Sequence, residues 1–234
     1  MSGLADRNQF NAWRWCRIVC LSILVTVCTL FLFGWYIGAM DAPKSALNTD
    51  ELPFYTQQNL QPRWDRWASW QQIAHFSLND QYGHAIDETV FLSGPSFVGF
   101  FYGGCTSLCP VSLEVLRELQ GQIAKVPGAS QPRFLMMTVT PEIDDVRSLS
   151  EYSRRLNLPG DWHMLTGMRA EVKRLANSLL TDMEARTSNG EPLHGQRAFL
   201  VDKKGRIRGI YAANSLLEMH RMQADYERLM PLGY

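Results

Sequence analysis

The tract Phe97-Val98-Gly99-Phe100-Phe101-Tyr102 constrains this chain more than any other. It is apolar almost throughout and shows no polar alternation. That pattern belongs to a strand covered on both faces, which in turn calls for helices above and below a sheet. The tract runs directly into Gly103-Gly104-Cys105-Thr106-Ser107-Leu108-Cys109-Pro110. A glycine turn, two cysteines four residues apart and a proline therefore follow the strand without a break. The proline suits the first turn of a helix, where its missing N–H costs nothing.

The remainder of the chain supplies the other layers. Phe76-Ser77-Leu78 and Thr89-Val90-Phe91 read as short strands around a turn at 80–83. Residues 110–125 carry Val111, Leu113, Val115, Leu116, Leu119 and Ile123 at helical spacing. A second buried strand is expected over 133–139, and a helix over 144–156 with Asp144 or Asp145 as its cap. A short strand at 162–165, a helix over 169–180, two strands at 198–201 and 207–211 joined by a hairpin turn, and a last helix over 215–230 complete the order. A βαβ unit, then a helix, then a ββα ending predicts an α/β fold over residues 71–234, a thioredoxin-like mixed sheet flanked by helices.

Residues 18–40 are 23 uncharged, mostly apolar positions, and a membrane-spanning helix needs about 20. Arg7, Arg14 and Arg17 precede them against Asp6 alone; Asp41, Asp50 and Glu51 follow against Lys44. Positive charge stays in the cytoplasm. The expected organisation is a cytoplasmic N-terminus (1–17), a single transmembrane anchor (18–40), a tether with a Trp-rich segment (41–70), and a folded domain beyond the membrane. The competing reading is a cleaved signal peptide, although the apolar run exceeds the roughly 7–15 residues of a signal core. Trp64, Trp67 and Trp70 suit either a helix at the membrane interface or a stripe packed on the domain. The formal net charge is zero with no basic block, so nucleic-acid binding has no electrostatic support.

Cys105 and Cys109 are the chemistry-bearing pair, since Cys16, Cys20 and Cys28 lie in or beside the apolar segment. At a helix N-terminus the unpaired N–H groups and the macrodipole favour a thiolate, so a lowered thiol pKa is expected. Two thiolates are soft ligands suited to Cu(I) or zinc. Spacing four puts them on one face of a helical turn, which serves a chelate or a disulfide. Five histidines are available. His194 precedes the strand at 198–201, whose entry loop in such a sheet faces the start of the first helix, and it is the candidate third ligand. His75 and His84 border the first hairpin, and His163 beside Trp162 reads as structural. His220 lies between Met219 and Met222, a set that binds copper in principle.

Together these residues resemble the Sco (SenC/PrrC) family of membrane-anchored copper proteins. The resemblance rests on Phe76-x-Leu78-x-Asp80-x-x-Gly83, on Phe97 through the Cys-x-x-x-Cys-Pro motif at Pro110, and on His194 with Phe199-Leu200 after it. It implies copper held by Cys105, Cys109 and His194, and a metallochaperone or assembly factor acting on a cytochrome c oxidase copper centre or another copper or thiol client. The single N-terminal anchor agrees with that family. The far side of the membrane is a periplasm or a mitochondrial intermembrane space, and the lack of an Arg/Ser-rich transit sequence in the short N-terminus favours an inner-membrane, single-pass protein with its C-terminal domain in the periplasm. The sequence departs from the family at Thr140-Pro141-Glu142, where an Asp-Pro stretch is usual, at Leu193, where an aspartate often precedes the histidine, and at Gly103-Gly104. The main alternative is a thiol:disulfide oxidoreductase in which Cys105 and Cys109 cycle without metal. A peroxidase of the same fold would need an arginine beside a reactive thiolate, and only Arg197 lies near His194.

Overall fold

The computed structural model describes residues 52–56, 59–64, 71–105, 108–184, 186, 188, 190 and 196–230, with isolated positions 26, 28 and 29. Among the described residues no helix is long and apolar enough to cross a membrane. The apolar stretch 18–40 lies outside them save for those three positions. The chain divides into two compact units, residues 1–48 and 49–234.

The second unit is built on five strands: β5 (Ser96–Phe101), β6 (Arg133–Thr138), β7 (Trp162–Leu165), β8 (Arg197–Val201) and β9 (Ile207–Ala212). They form one mixed sheet in the order β7-β6-β5-β8-β9. β5 pairs parallel to β6 and antiparallel to β8, and β6 pairs parallel to β7. Helices α1 (Leu108–Ile123), α2 (Val146–Leu156), α3 (Arg169–Ser178) and α4 (Leu216–Leu229) cover it. This is the thioredoxin-like mixed α/β architecture expected from the strand and helix order.

The central strand explains why the layers close. Every residue of β5 is buried. On one face Phe97, Phe134 and Trp162 occupy paired positions on β5, β6 and β7. Their rings stack at 5.6 Å and 4.4 Å between centroids, and Tyr226 of α4 stacks on Phe97 at 5.9 Å. Such cross-strand aromatic contacts add to the area they bury. The indole N–H of Trp162 donates to Gln120 of α1 at 2.8 Å, locking helix to sheet. On the other face Val98, Leu135 and Leu165 meet Leu175 of α3 together with Phe76 and Phe91.

The segment ahead of the sheet differs from the sequence expectation. β3 (Ser77–Asn79) pairs with β4 (Ala85–Asp87), not with residues 89–91. Thr89-Val90-Phe91 belong to a 3-10 helix, Glu88–Ser93. Asp87 is the physical reason: its carboxylate accepts from the Thr89 N–H at 2.9 Å and caps a helical turn, which ends strand pairing. The hairpin is fastened to the open edge of the sheet. Buried Gln81 donates to Trp162 O (2.7 Å) and accepts from Met164 N–H (2.8 Å). Asn79 and Thr166 exchange a further pair of backbone bonds. The exposed edge of β7 is thereby satisfied.

Part of the stretch read as a tether forms a short hairpin, β1 (Phe54–Tyr55) with β2 (Pro62–Arg63). Buried Arg208 donates to the carbonyls of Leu52 (2.8 Å) and Pro53 (3.1 Å). The Phe54 ring lies beneath both Arg208 and Arg206. Trp64 is exposed, whereas Trp67 and Trp70 lie outside the described residues.

Replacing Gln81 by Ala leaves the Trp162 carbonyl and the Met164 N–H without their side-chain partner in a dry place. The expected loss is about 2 kcal/mol of unfolding free energy, measured by urea denaturation with tryptophan fluorescence.

Candidate functional site

β5 delivers the chain to the site. After Phe101 the strand ends, and Tyr102-Gly103-Gly104-Cys105 closes a tight turn in which Cys105 N–H donates to Tyr102 O at 3.1 Å. α1 starts within the next few residues. Its early amide at Cys109 donates to the Cys105 sulfur at 3.1 Å, so the Cys105 sulfur lies at the helix N-terminus. Both residues carry thiols and both are buried, at 6% and 2% exposure.

The expectation of lowered thiol pKa values needs correction at Cys109. Burial pushes its thiol well up, and the contact with the Cys105 side chain adds to this; the Tyr102 backbone pulls weakly the other way. Loss of solvation disfavours the thiolate more than the helix terminus favours it. Cys109 is held as a neutral thiol across the physiological range.

The turn is fixed by a carboxylate from a different element. Asp144 is buried, and its Oδ2 accepts from Gly103 N–H (2.9 Å), from the Thr140 hydroxyl (2.8 Å) and from the Thr138 hydroxyl. A Cβ on Gly103 would collide with Asp144 Oδ1. The glycine there is a requirement of close approach. Between the two cap candidates for α2, Asp145 performs the capping, accepting from Ser148 N–H at 2.7 Å, which leaves Asp144 for the cysteine turn. Tyr152 of α2 also reaches this region. Its ring stacks on Phe101 at 5.6 Å, and its buried hydroxyl has no hydrogen-bond partner among the described residues. Burial raises its pKa, with Cys109 and Cys105 contributing in the same direction.

The structure thus brings together Cys105, Cys109, Asp144 and Tyr152. His194 lies outside the described residues. Gln196, two positions later, lines a crevice beside Cys109 together with Arg197, Ser112 and Ala213. The other histidines are elsewhere. His75 is exposed and bonded to Glu88 at 2.6 Å. His84 and His163 face buried Asp80 at 3.4 Å and 3.3 Å. His220 is exposed while Met219 and Met222 are buried, so that set does not converge. Sequence reasoning missed Tyr152 altogether and offered Asp144 and Asp145 as alternative caps, of which α2 uses Asp145. The available signal was the Asp144-Asp145 doublet, since one residue suffices to cap a helix.

The SCO1/SenC family pattern matches residues 68–230, and the chain belongs to that family. The mitochondrial SCO2 homolog of Danio rerio is 30% identical over 131 residues, covering 54% of this chain and 43% of that protein. The chain matches less than half the length of this relative and of its human counterpart. Among solved structures, copper-bound ScoI of Bradyrhizobium japonicum superposes with a TM-score of 0.55 at 22% identity, covering 67% of this chain and 98% of that one. BsSco, described as carrying a disulfide switch and as a member of the Sco family of cytochrome c oxidase assembly proteins, superposes with a TM-score of 0.60 at 18% identity, covering 69% and 95%. These likenesses bear on the fold.

Gly103→Ala drives a methyl group into Asp144 and separates the turn from its anchor. The expected outcome is a loss of about 1–3 kcal/mol, together with faster hydrogen exchange at the amides of residues 103–105, read by mass spectrometry.

Proposed function

We propose that this protein is a membrane-anchored copper-binding metallochaperone, with Cys105, Cys109 and His194 as its ligands and a cytochrome c oxidase copper centre as its client. The carrying observation is the juxtaposed buried thiol pair at the start of α1. Two soft donors a single turn apart fit copper, which is cargo here and is passed on by exchange with a client's thiolates. The crevice between Cys109 and Gln196 supports His194 as the third ligand, because two residues span at most about 7 Å. Copper-bound and oxidase-assembly relatives in the same family support the cargo and the client. The apolar segment 18–40 and its flanking charges support a single-pass anchor in the inner membrane with the folded domain in the periplasm.

The raised Cys109 pKa favours this reading over metal-free thiol exchange. An exchanging pair works through a thiolate near neutral pH, and burial opposes that at Cys109. A metal ion displaces the thiol protons and supplies the charge that desolvation denies.

The test uses the reduced full-length chain in detergent, with Cys16, Cys20 and Cys28 replaced by serine. One copper per chain is expected under anaerobic titration. Cys105→Ala or Cys109→Ala abolishes tight binding. His194→Ala weakens it by more than the roughly 10–100-fold that loss of an outer-shell partner costs. No copper uptake, combined with reduction of a disulfide substrate that His194→Ala leaves intact, points to the oxidoreductase instead.

Copper uptake at pH 7 also releases the proton that burial keeps on Cys109. The apparent affinity therefore climbs as pH rises towards the Cys109 thiol pKa. Titration in two buffers of different ionisation enthalpy measures that proton release.

A further inference from the structure

Three carboxylates are buried among the described residues: Asp80, Asp144 and Asp202. Two of them face cationic or protonatable partners. Asp80 faces His84 and His163, and Asp202 pairs with Arg206 at 2.7 Å and Arg208 at 3.5 Å. Asp144 differs. Its hydrogen-bond partners are an amide and two hydroxyls, all neutral, and all converge on Oδ2. Three donors on one oxygen are what an ionised carboxylate accepts. Burying such a charge is costly without a counter-ion. The place where Asp144 is buried is the turn carrying Cys105: its Oδ2 accepts from the Gly103 N–H, two residues before that cysteine.

We infer that Asp144 is the counter-charge of the cysteine site and biases its copper towards Cu(II) over Cu(I). This rests on the copper-binding function proposed for the site. Two thiolates and a neutral imidazole leave Cu(II) electrically neutral and Cu(I) with one net negative charge. A fixed carboxylate on the cysteine turn repels the second complex and not the first. The sulfur ligands, being soft, favour Cu(I); Asp144 opposes that preference. The Gly103 contact and the two threonines hold the carboxylate in place, so its effect does not depend on a mobile side chain.

Asp144→Asn keeps the shape and removes the charge. Thr138→Val loosens the same cluster and keeps the charge. Affinities for Cu(I) and Cu(II) are measured by competition with chelators of known affinity, in the full-length serine background. The native chain and Thr138→Val are expected to share one Cu(II):Cu(I) affinity ratio, and Asp144→Asn to lower it by about tenfold or more. A copper-free readout accompanies this. The rate of iodoacetamide alkylation at Cys105 and Cys109, followed by mass spectrometry at pH 8, is expected to rise severalfold in Asp144→Asn and to stay unchanged in Thr138→Val. Copper uptake with the same ratio in native and Asp144→Asn chains overturns this inference alone and leaves copper binding standing. Absence of copper uptake by the native chain overturns both, and the alkylation rates then show whether the Asp144 charge reaches the sulfurs at all.

Discussion

Burial of β5 on both faces is the constraint on which the rest of this protein depends. A strand that exposes neither face must sit at the centre of a sheet and carry a layer on each side. Here β6 and β8 flank it, the aromatic stack of Phe97, Phe134 and Trp162 fills one side, and α3 with the 3-10 segment closes the other. Because β5 is held so firmly, the point where it stops is also well defined. The chain leaves the sheet at Phe101 and reverses direction through Gly103 and Gly104. It enters α1 with one sulfur already accepting a helix amide. The position of the cysteines is a consequence of the core.

The site combines two opposing electrical tendencies. The start of α1 favours negative charge on sulfur. Burial, the neighbouring thiol and the Asp144 carboxylate all oppose it at Cys109. The balance leaves Cys109 a neutral thiol in surroundings that gain from an arriving cation. That arrangement is poorly suited to a nucleophile and well suited to a site that stays protonated until a metal displaces the protons. Tyr152, whose buried hydroxyl has no hydrogen-bond partner among the described residues, belongs to this environment.

The buried aspartates show how one residue type serves three ends. Asp202 anchors the Arg206–Arg208 pair, and through Arg208 and Phe54 it holds the β1–β2 hairpin against the sheet. Asp80 organises the β3–β4 turn; burial raises its pKa, but the His84 and Tyr82 amides and His163 outweigh burial and hold the carboxyl below its usual value. Asp144 ties the cysteine turn to the end of β6. Their neighbours distinguish them, and those neighbours come from distant parts of the chain.

Sequence alone determined the order of elements around the cysteines, because hydrophobic periodicity and Pro110 report local backbone preference directly. It also determined the family, through the spacing of Cys105, Cys109 and His194 and the tracts around them. Periodicity failed where a side chain ends a strand: Asp87 caps a turn that three β-prone residues, Thr89, Val90 and Phe91, would otherwise contradict. Only the tertiary structure decided the electrical state of the site. A helix N-terminus is visible in sequence, but the burial that outweighs it at Cys109 is a property of packing. The partnership of Gly103 with Asp144 spans 41 residues, and no local pattern encodes it. Which of two adjacent aspartates capped α2, and which was turned inward to hold the cysteine turn, was settled when β5 and β6 came side by side.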